Sequence, residues 1–411
     1  MRNKIKYEVF HLSYSDYIGG ASIAAKNIDL CLKNKISSKF YGLEIKNHKK
    51  KFTQKIKLNI RLLIGLFPKL FFFNNFKQTL SFAILNSNIV KKINNHKNTD
   101  LIVNLHWINR ETISIKDIGK INKNLVWTCH DMWPILGAKH ISKKSNFNSN
   151  SNNFRYLFDF DYWTYLRKKK YLGQKKITFI VPSKWLKKKV EKSKVYKNKK
   201  VHLVGNPIDC SFWKKIGNYK FNGKILNIVF GGSNISNDDN KGLELAIKIF
   251  NFMHENLKIK FIVSFFGSQI IDDSKIKFPF KNYKIVNKYN LRKIYSKSDL
   301  MIVTSKIESF CQVAAEAQSC SVPVISYKSS GLIDVVKNNY SGYHISKYNH
   351  REFAYKIYKL LNNKKKLNQL AKNARIHIRK NYDFPVVSKK YNKIYQLILK
   401  KKKINSESEK K

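Results

Sequence analysis

Acidic residues are scarce in this chain. Its 411 residues hold 26 Asp and Glu against 81 Lys and Arg, a formal net charge of +55. A surplus of that size sits mostly on the surface and makes a strong positive field. Proline and glycine are also sparse, at 7 and 16 residues, which excludes a linker-rich or fibrous chain. The five cysteines, Cys31, Cys129, Cys210, Cys311 and Cys320, are odd in number and no pair is spaced CxxC. Neither a disulfide framework nor a structural zinc site is expected. No uncharged apolar run reaches the ~18 residues that a membrane span needs. The opening MRNKIKYEVFHLSYS lacks the apolar core of a signal peptide. The expectation is a cytoplasmic protein, or one held peripherally on the inner face of the plasma membrane.

What is present suffices for sizeable cores: 43% hydrophobic and 13% aromatic residues, which excludes wholesale disorder. The basic residues are overwhelmingly Lys, with abundant Asn and Ile. That pattern fits a compositional bias at tolerant surface positions; attraction to anionic lipid head groups is the second reading. Nucleic acid is not an expected partner, because Arg, the residue of bidentate contacts, is scarce.

Short apolar runs alternate with helical patterns. Residues 6–13, 101–105, 125–129 and 178–182 read as strands of one series. A second series begins near residue 225 with ILNIVFGG, KIKFIVSFFG, KIVNK, DLMIVTS and SVPVISY. Strands alternating with helices imply parallel α/β layers. Two doubly wound domains are predicted, 1–205 and 206–385, with the turn-rich stretch 206–223 at the join. A last helix, 386–399, is expected to return to the first domain, followed by a disordered tail, 400–411. Residues 142–153, SKKSNFNSNSNN, read as a polar low-complexity loop.

In open parallel sheets ligands bind beyond the carboxyl ends of the strands. There the sequence places Glu308-Ser-Phe-Cys-Gln-Val-Ala-Ala-Glu316, directly after DLMIVTS. A helix is expected to start near Ser309, whose hydroxyl suits an N-cap. Its first N–H groups, from Ser309 through Phe310 to Cys311, suit a phosphate. Paired carboxylates suit sugar hydroxyls, which donate to ionised oxygens.

The spacing E-x7-E, then SVPVISYKSSGLIDVV with Gly331 and Gly342, resembles the donor-binding signature of family 4 glycosyltransferases. These are retaining, nucleotide-sugar-dependent enzymes of the GT-B fold. The resemblance implies two Rossmann-like domains facing across a cleft. It assigns Glu308 to the donor sugar and Glu316 to the ribose. Gly19 and Gly20, between the first strand and first helix, match the glycine loop that closes over the diphosphate. Lys241, in GGSNISNDDNKG, matches the lysine of a diphosphate-binding basic pair; Ser233, Asn234 and Asn240 occupy the region of the usual arginine.

In the first domain, LHWI at 105–108 and HDMWP at 130–134, then GxxH ending at His140, resemble the colanic-acid-type branch that builds exopolysaccharide and lipopolysaccharide. His130 matches the histidine beside the donor sugar, with the adjacent Asp131 expected to orient it; His106 and His140 are weaker candidates. Leu136, Ala138 and Lys139 depart from the branch, which has Thr, Gly and Cys there. The resemblance implies a glycan or lipid-linked oligosaccharide acceptor. No cofactor and no metal are expected: Asp159-Phe-Asp161 falls in an aromatic segment, not after an early strand as a metal-binding DxD would. The basic stretch 47–57 and the apolar 62–73 together read as a surface for anionic membrane. Two other functions are compatible with parts of the chain: a non-transferring, epimerase-like GT-B enzyme, and a polyanion-binding module without catalysis.

Overall fold

The computed structural model describes residues 7–33, 35–45, 56, 59–63, 80–142, 159–197, 199–217, 225–346 and 348–408. Two compact units divide the chain, Met1–Gly205 with Val387–Lys411, and Asn206–Val386.

The first unit is built on six parallel strands: β1 (Glu8–Leu12), β2 (Ser37–Tyr41), β3 (Ile102–Leu105), β4 (Asn124–Thr128), β5 (Ile177–Val181) and β6 (Lys199–Leu203). Their order is β2-β1-β3-β4-β5-β6. Successive strand residues face opposite ways. Phe10, Leu12, Val103, Leu105, Leu125 and Trp127 therefore enter one apolar core. His11 and Asn104, aligned in register, take the other face. There Asn104 Nδ2 donates to Tyr395 Oη at 2.9 Å, and Tyr7 Oη donates to Asn392, both partners lying on the helix Phe384–Ser408.

The second unit repeats the plan with β7 (Leu226–Gly231), β8 (Phe261–Phe266), β9 (Phe280–Asn282), β10 (Leu300–Val303), β11 (Val324–Tyr327) and β12 (Gly342–Ile345), all parallel, in the order β12-β11-β10-β7-β8-β9. One apolar cluster packs each side of this sheet. These are the two doubly wound Rossmann-like domains that the resemblance implies. In each sheet the strand order reverses beside the unit's first strand, between β1 and β3 and between β7 and β10. Such switch points open the crevices where ligands bind.

The abundant asparagine has local uses. Asn287, Asn349 and Asn363 cap the helices Lys288–Ser296, His350–Leu361 and Lys364–Tyr382 through their side chains, where a short polar oxygen satisfies free N–H groups. Asn287 also explains a correction. KIVNK is not a strand: Lys284 has a positive φ of 58° and Asn287 begins a helix. The third strand on that side is instead Phe280–Asn282. The tail is a second correction, because the last helix runs on to Ser408; lysine is a good helix former. Asp159 and Asp161 are structural. Asp159 caps the helix Phe160–Leu172, while Asp161 accepts from the Ala138 and Lys139 N–H groups and pairs with Lys139 at 3.0 Å. The low-complexity loop lies almost wholly outside the described residues.

Candidate functional site

In the second unit three loops converge at the switch point. The turn after β7 carries Lys241, the segment after β10 carries Glu308, and the segment after β11 carries Ser329 to Gly331. Asn240 ties the first two together: its Nδ2 donates to the Ile307 carbonyl at 2.8 Å and its Oδ1 accepts from the Ile307 N–H at 3.0 Å. Thr304 Oγ1 adds bonds to the Lys241 and Gly242 carbonyls. The third loop is joined by the Glu308 N–H donating to Ser330 Oγ at 2.7 Å and the Gly331 N–H donating to the Glu308 carbonyl at 2.7 Å. Glycine is required at 331, because a Cβ there would stand 2.3 Å from the Ser309 carbonyl oxygen.

This framework sets Lys241 Nζ 2.7 Å from Glu308 Oε1. Burial acts to lower the Lys241 ammonium, but the Glu308 carboxylate outweighs it and holds the lysine above its usual range. The cation is therefore permanent, beside a small cleft lined by Gly231, Thr304, Ser305 and Val313. Here the sequence reading needs correcting. The helix begins at Gln312, not near Ser309, and its N-cap is Cys311, at φ 78° with no side-chain cap bond. Ser309 and Phe310 belong to the loop held by Gly331. The first-turn N–H groups of an α-helix have no partner within it, so these donors lie three residues further along than expected.

Glu316 lies in that helix, only 6% exposed. Gln312 Nε2 donates to its Oε1 at 3.2 Å. Burial pushes the carboxyl up from 4.5 to about 8, Gln312 opposing only weakly. Glu316 thus reads as a carboxyl in want of donors.

In the first unit Gly19 and Gly20 are not in a loop but in the first turn of the helix Gly19–Leu32. Gly19 holds a positive φ of 80°, and an added Cβ would meet nothing within 4 Å at either position. The N-cap, Ile18, has no side chain to offer the first-turn donors.

His130 stands differently from expectation. Asp131 does not orient it. Asp131 accepts from His140 Nδ1 at 2.6 Å, from Trp107 Nε1 at 3.0 Å and from the Trp133 N–H at 2.9 Å. Burial acts to raise its carboxyl, but His140 and the other donors outweigh it and keep it below the usual carboxylate range. His140 in turn meets Ser81 Oγ at 2.9 Å. His130 Nε2 instead meets His106 Nδ1 at 3.0 Å, and His106 Nε2 meets His11 Nδ1 at 2.8 Å. The rings stack, with centroids 5.3 and 5.1 Å apart and planes inclined by 24° and 26°. Burial lowers all three: His11 and His130 to about 4, His106 well below 6.5. The row is neutral at physiological pH. Sequence reading missed His11, whose signal was a lone polar ring inside the apolar strand KYEVFHLS.

Residues 236–377 match the family model of glycosyl transferases group 1. The match takes in Lys241, the loop from Glu308 to Cys311 and Glu316. Among curated proteins the chain is 26% identical over 166 residues to the capsular polysaccharide biosynthesis glycosyltransferase CapM of Staphylococcus aureus, covering 39% of this chain and 44% of CapM. It is 23% identical over 218 residues to an uncharacterized glycosyltransferase of Methanocaldococcus jannaschii, covering 50% and 56%. The chain thus spans about half the length of the curated relatives it matches. Solved structures align over nearly the whole chain. A glycosyltransferase from Rickettsia africae aligns with a TM-score of 0.61 at 15% identity, covering 96% of this chain and 99% of that one. Anabaena HepE, in complex with UDP-glucose, aligns with a TM-score of 0.60 at 12% identity, covering 95% and 99%. At such identities the likeness defines the fold, the two-domain GT-B architecture.

Proposed function

We propose that the protein is a glycosyltransferase that moves a sugar from a nucleotide-diphosphate donor to a glycan or lipid-linked acceptor in surface polysaccharide synthesis. The observation that carries this reading is the 2.7 Å Lys241–Glu308 pair at the switch point of the second sheet, inside the group 1 match. When the glycosidic bond to the diphosphate breaks, negative charge grows on the leaving phosphate. A preorganised cation and helix N–H groups stabilise such charge most where water is excluded. Lys241 and the first turn from Gln312 supply both. Glu308 neutralises Lys241 and accepts from donor-sugar hydroxyls, and Glu316 accepts from the ribose. For His130, Gly19 and Gly20 the reading keeps the roles that the motif resemblance gives them.

Retention of stereochemistry, family 4 membership and the colanic-acid-type branch belong to the same proposal and rest on the motif resemblance. Surface polysaccharide is further supported by the likeness to CapM. Neither a metal nor a cofactor is assigned a role in this reading. The membrane-facing segment 47–73 lies mostly outside the described residues. Those described include exposed Ile56, Ile60 and Leu63, at spacings that share one helix face. Arg61 holds the segment by donating to the Glu111, Asn86 and Leu85 carbonyls. No described helix is long and apolar enough to cross a membrane.

The test is a panel of nucleotide sugars screened for thermal stabilisation, since a ligand that binds only the native state raises Tm. A selective rise with one donor, followed by transfer to an acceptor, is the expected result. No rise with any donor, together with strongly salt-dependent DNA binding, would overturn the reading in favour of a polyanion binder.

A further inference from the structure

The row of imidazoles constrains His130 more tightly than any single contact could. A neutral imidazole has one N–H and one bare nitrogen, and the hydrogen bond at one nitrogen dictates the state of the other. Two N···N contacts therefore leave only two neutral arrangements for three rings. In one, every Nδ1 carries the proton: His11 donates to His106, His106 donates to His130, and His130 presents an outward N–H while His11 Nε2 is bare. In the other, every Nε2 carries it: His130 presents a bare nitrogen and His11 Nε2 carries an N–H. No mixed neutral array keeps both contacts.

The ends of the row differ. His11 is fully buried, and among the described residues its Nε2 has no hydrogen-bond partner. His130 Nδ1 is shielded and has none either, but its residue is only half-buried, at the carboxyl end of β4. A carboxylate stands near each end, and each is occupied by its own donors. Asp29 on the His11 side holds Lys26 at 3.0 Å, Lys33 at 3.6 Å and Ser38 at 2.6 Å. Asp131 on the His130 side holds His140, Trp107 and Trp133. Burial therefore decides. An orphaned buried N–H is rarer and costlier than a bare acceptor. The bare nitrogen belongs with His11, which is buried throughout, and the N–H with His130, part of which lies at the surface.

We infer that His11 and His106 are positioning residues that lock His130 as the Nδ1–H tautomer, a neutral hydrogen-bond donor to a hydroxyl oxygen rather than a base. Inverting the array would require a proton to enter at His11 Nε2 and another to leave at His130 Nδ1. The sealed end closes that route, so the tautomer persists through a catalytic cycle. The identity of the hydroxyl as a sugar's rests on the glycosyl-transfer reading; the lock itself does not.

The experiment is nitrogen NMR of the full chain with 15N-labelled histidine at pH 7.5, where protonated and bare ring nitrogens resonate far apart. Expected for the wild type is Nδ1 protonated and Nε2 bare at positions 11, 106 and 130. His11→Leu removes the donor at the sealed end and is expected to give a mixture of tautomers at His130. His11→Asn returns an amide N–H near the lost Nδ1 and is expected to restore the single tautomer. A wild-type His130 with its proton on Nε2 overturns the proposal. So does a Leu variant that keeps the wild-type pattern, or an Asn variant indistinguishable from Leu. Should His11→Leu not fold, the wild-type spectrum and the Asn variant decide. The spectra are recorded without any donor. A failed nucleotide-sugar screen alongside the expected spectra would remove the transferase reading and leave the lock standing.

Discussion

The two units solve the same topological problem with opposite electrostatics. Each gathers its polar groups at the switch point of a six-stranded parallel sheet. The second unit places opposite charges in contact, Lys241 on Glu308 at 2.7 Å, and buries one lone carboxyl, Glu316. The first unit places three uncharged bases in contact and keeps its carboxylate, Asp131, for a separate line through His140 to Ser81. Leaving-group charge calls for a fixed cation. Discrimination among hydroxyls calls for fixed donors and acceptors without charge, which a strong field would otherwise override. The difference teaches that a charged pair and an uncharged row are kept in different units, so that each can be broken alone.

The hardest break is Glu308→Ala. It frees Lys241 from its ion-pair partner and removes the acceptor proposed for donor-sugar hydroxyls. Turnover is expected to fall by roughly 10³-fold, while the first unit's histidine spectrum stays unchanged. Steady-state kinetics with the donor found by screening measures it; wild-type rates would remove Glu308 from the chemistry.

Next in size is a pair of opposite pH slopes. Glu316 has its folded pKa raised, from 4.5 to about 8. Between those values the unfolded chain releases a proton that the folded chain keeps, so stability falls as pH rises through that window, by up to ~5 kcal/mol. Glu316→Gln should flatten that slope and weaken nucleotide binding in calorimetry. His11 has its folded pKa lowered, from 6.5 to about 4. There the unfolded chain gains a proton that the folded chain refuses, so stability is complete above pH 6.5 and is lost as pH falls toward 4, by up to ~3 kcal/mol. His11→Asn should remove that share. Denaturant titrations from pH 4 to 8, with variants and wild type side by side, separate the two slopes. Equal slopes in wild type and variant would show the group to be solvated.

The contrast also explains what the sequence disclosed. The second site is nearly continuous in the chain: Glu308 to Glu316 spans nine residues, and Lys241 follows one strand. Its motif survives as spacing, and only the helix start was misplaced, because Gly331 draws Ser309 and Phe310 into a loop. The first site is assembled from β1, β3 and β4, and the contact between His11 and His106 bridges 95 positions. No local pattern encodes it. Asp131 misled because adjacency in sequence is not adjacency of side chains: both residues lie in a bend beyond the strand, and the Asp131 oxygens are taken by His140, Trp107 and Trp133. Edge strands were likewise hard to see. β2 (SSKFY) and β6 (KKVHL) carry lysines along exposed edges, a device against edge-to-edge pairing that erases the apolar signal.

The smallest expected effect concerns the outer surfaces. Both units expose large aliphatic residues, Ile60 and Leu63 at 48% and 66% in the first, Ile270 and Ile285 at 77% and 73% in the second. Exposure alone therefore does not mark a membrane face. What distinguishes the first pair is the basic run beside it, residues 47–57, which anionic lipid would attract. Replacing Ile60 and Leu63 with Ser removes about two buried side chains' worth of insertion energy, ~3–6 kcal/mol when fully inserted and less at partial depth. Co-sedimentation with vesicles containing phosphatidylserine is expected to drop about tenfold. The matched change at Ile270 and Ile285 is expected to leave it unaltered. If both pairs lowered binding alike, attraction would come from the overall charge of +55, and the two outer surfaces would be equivalent.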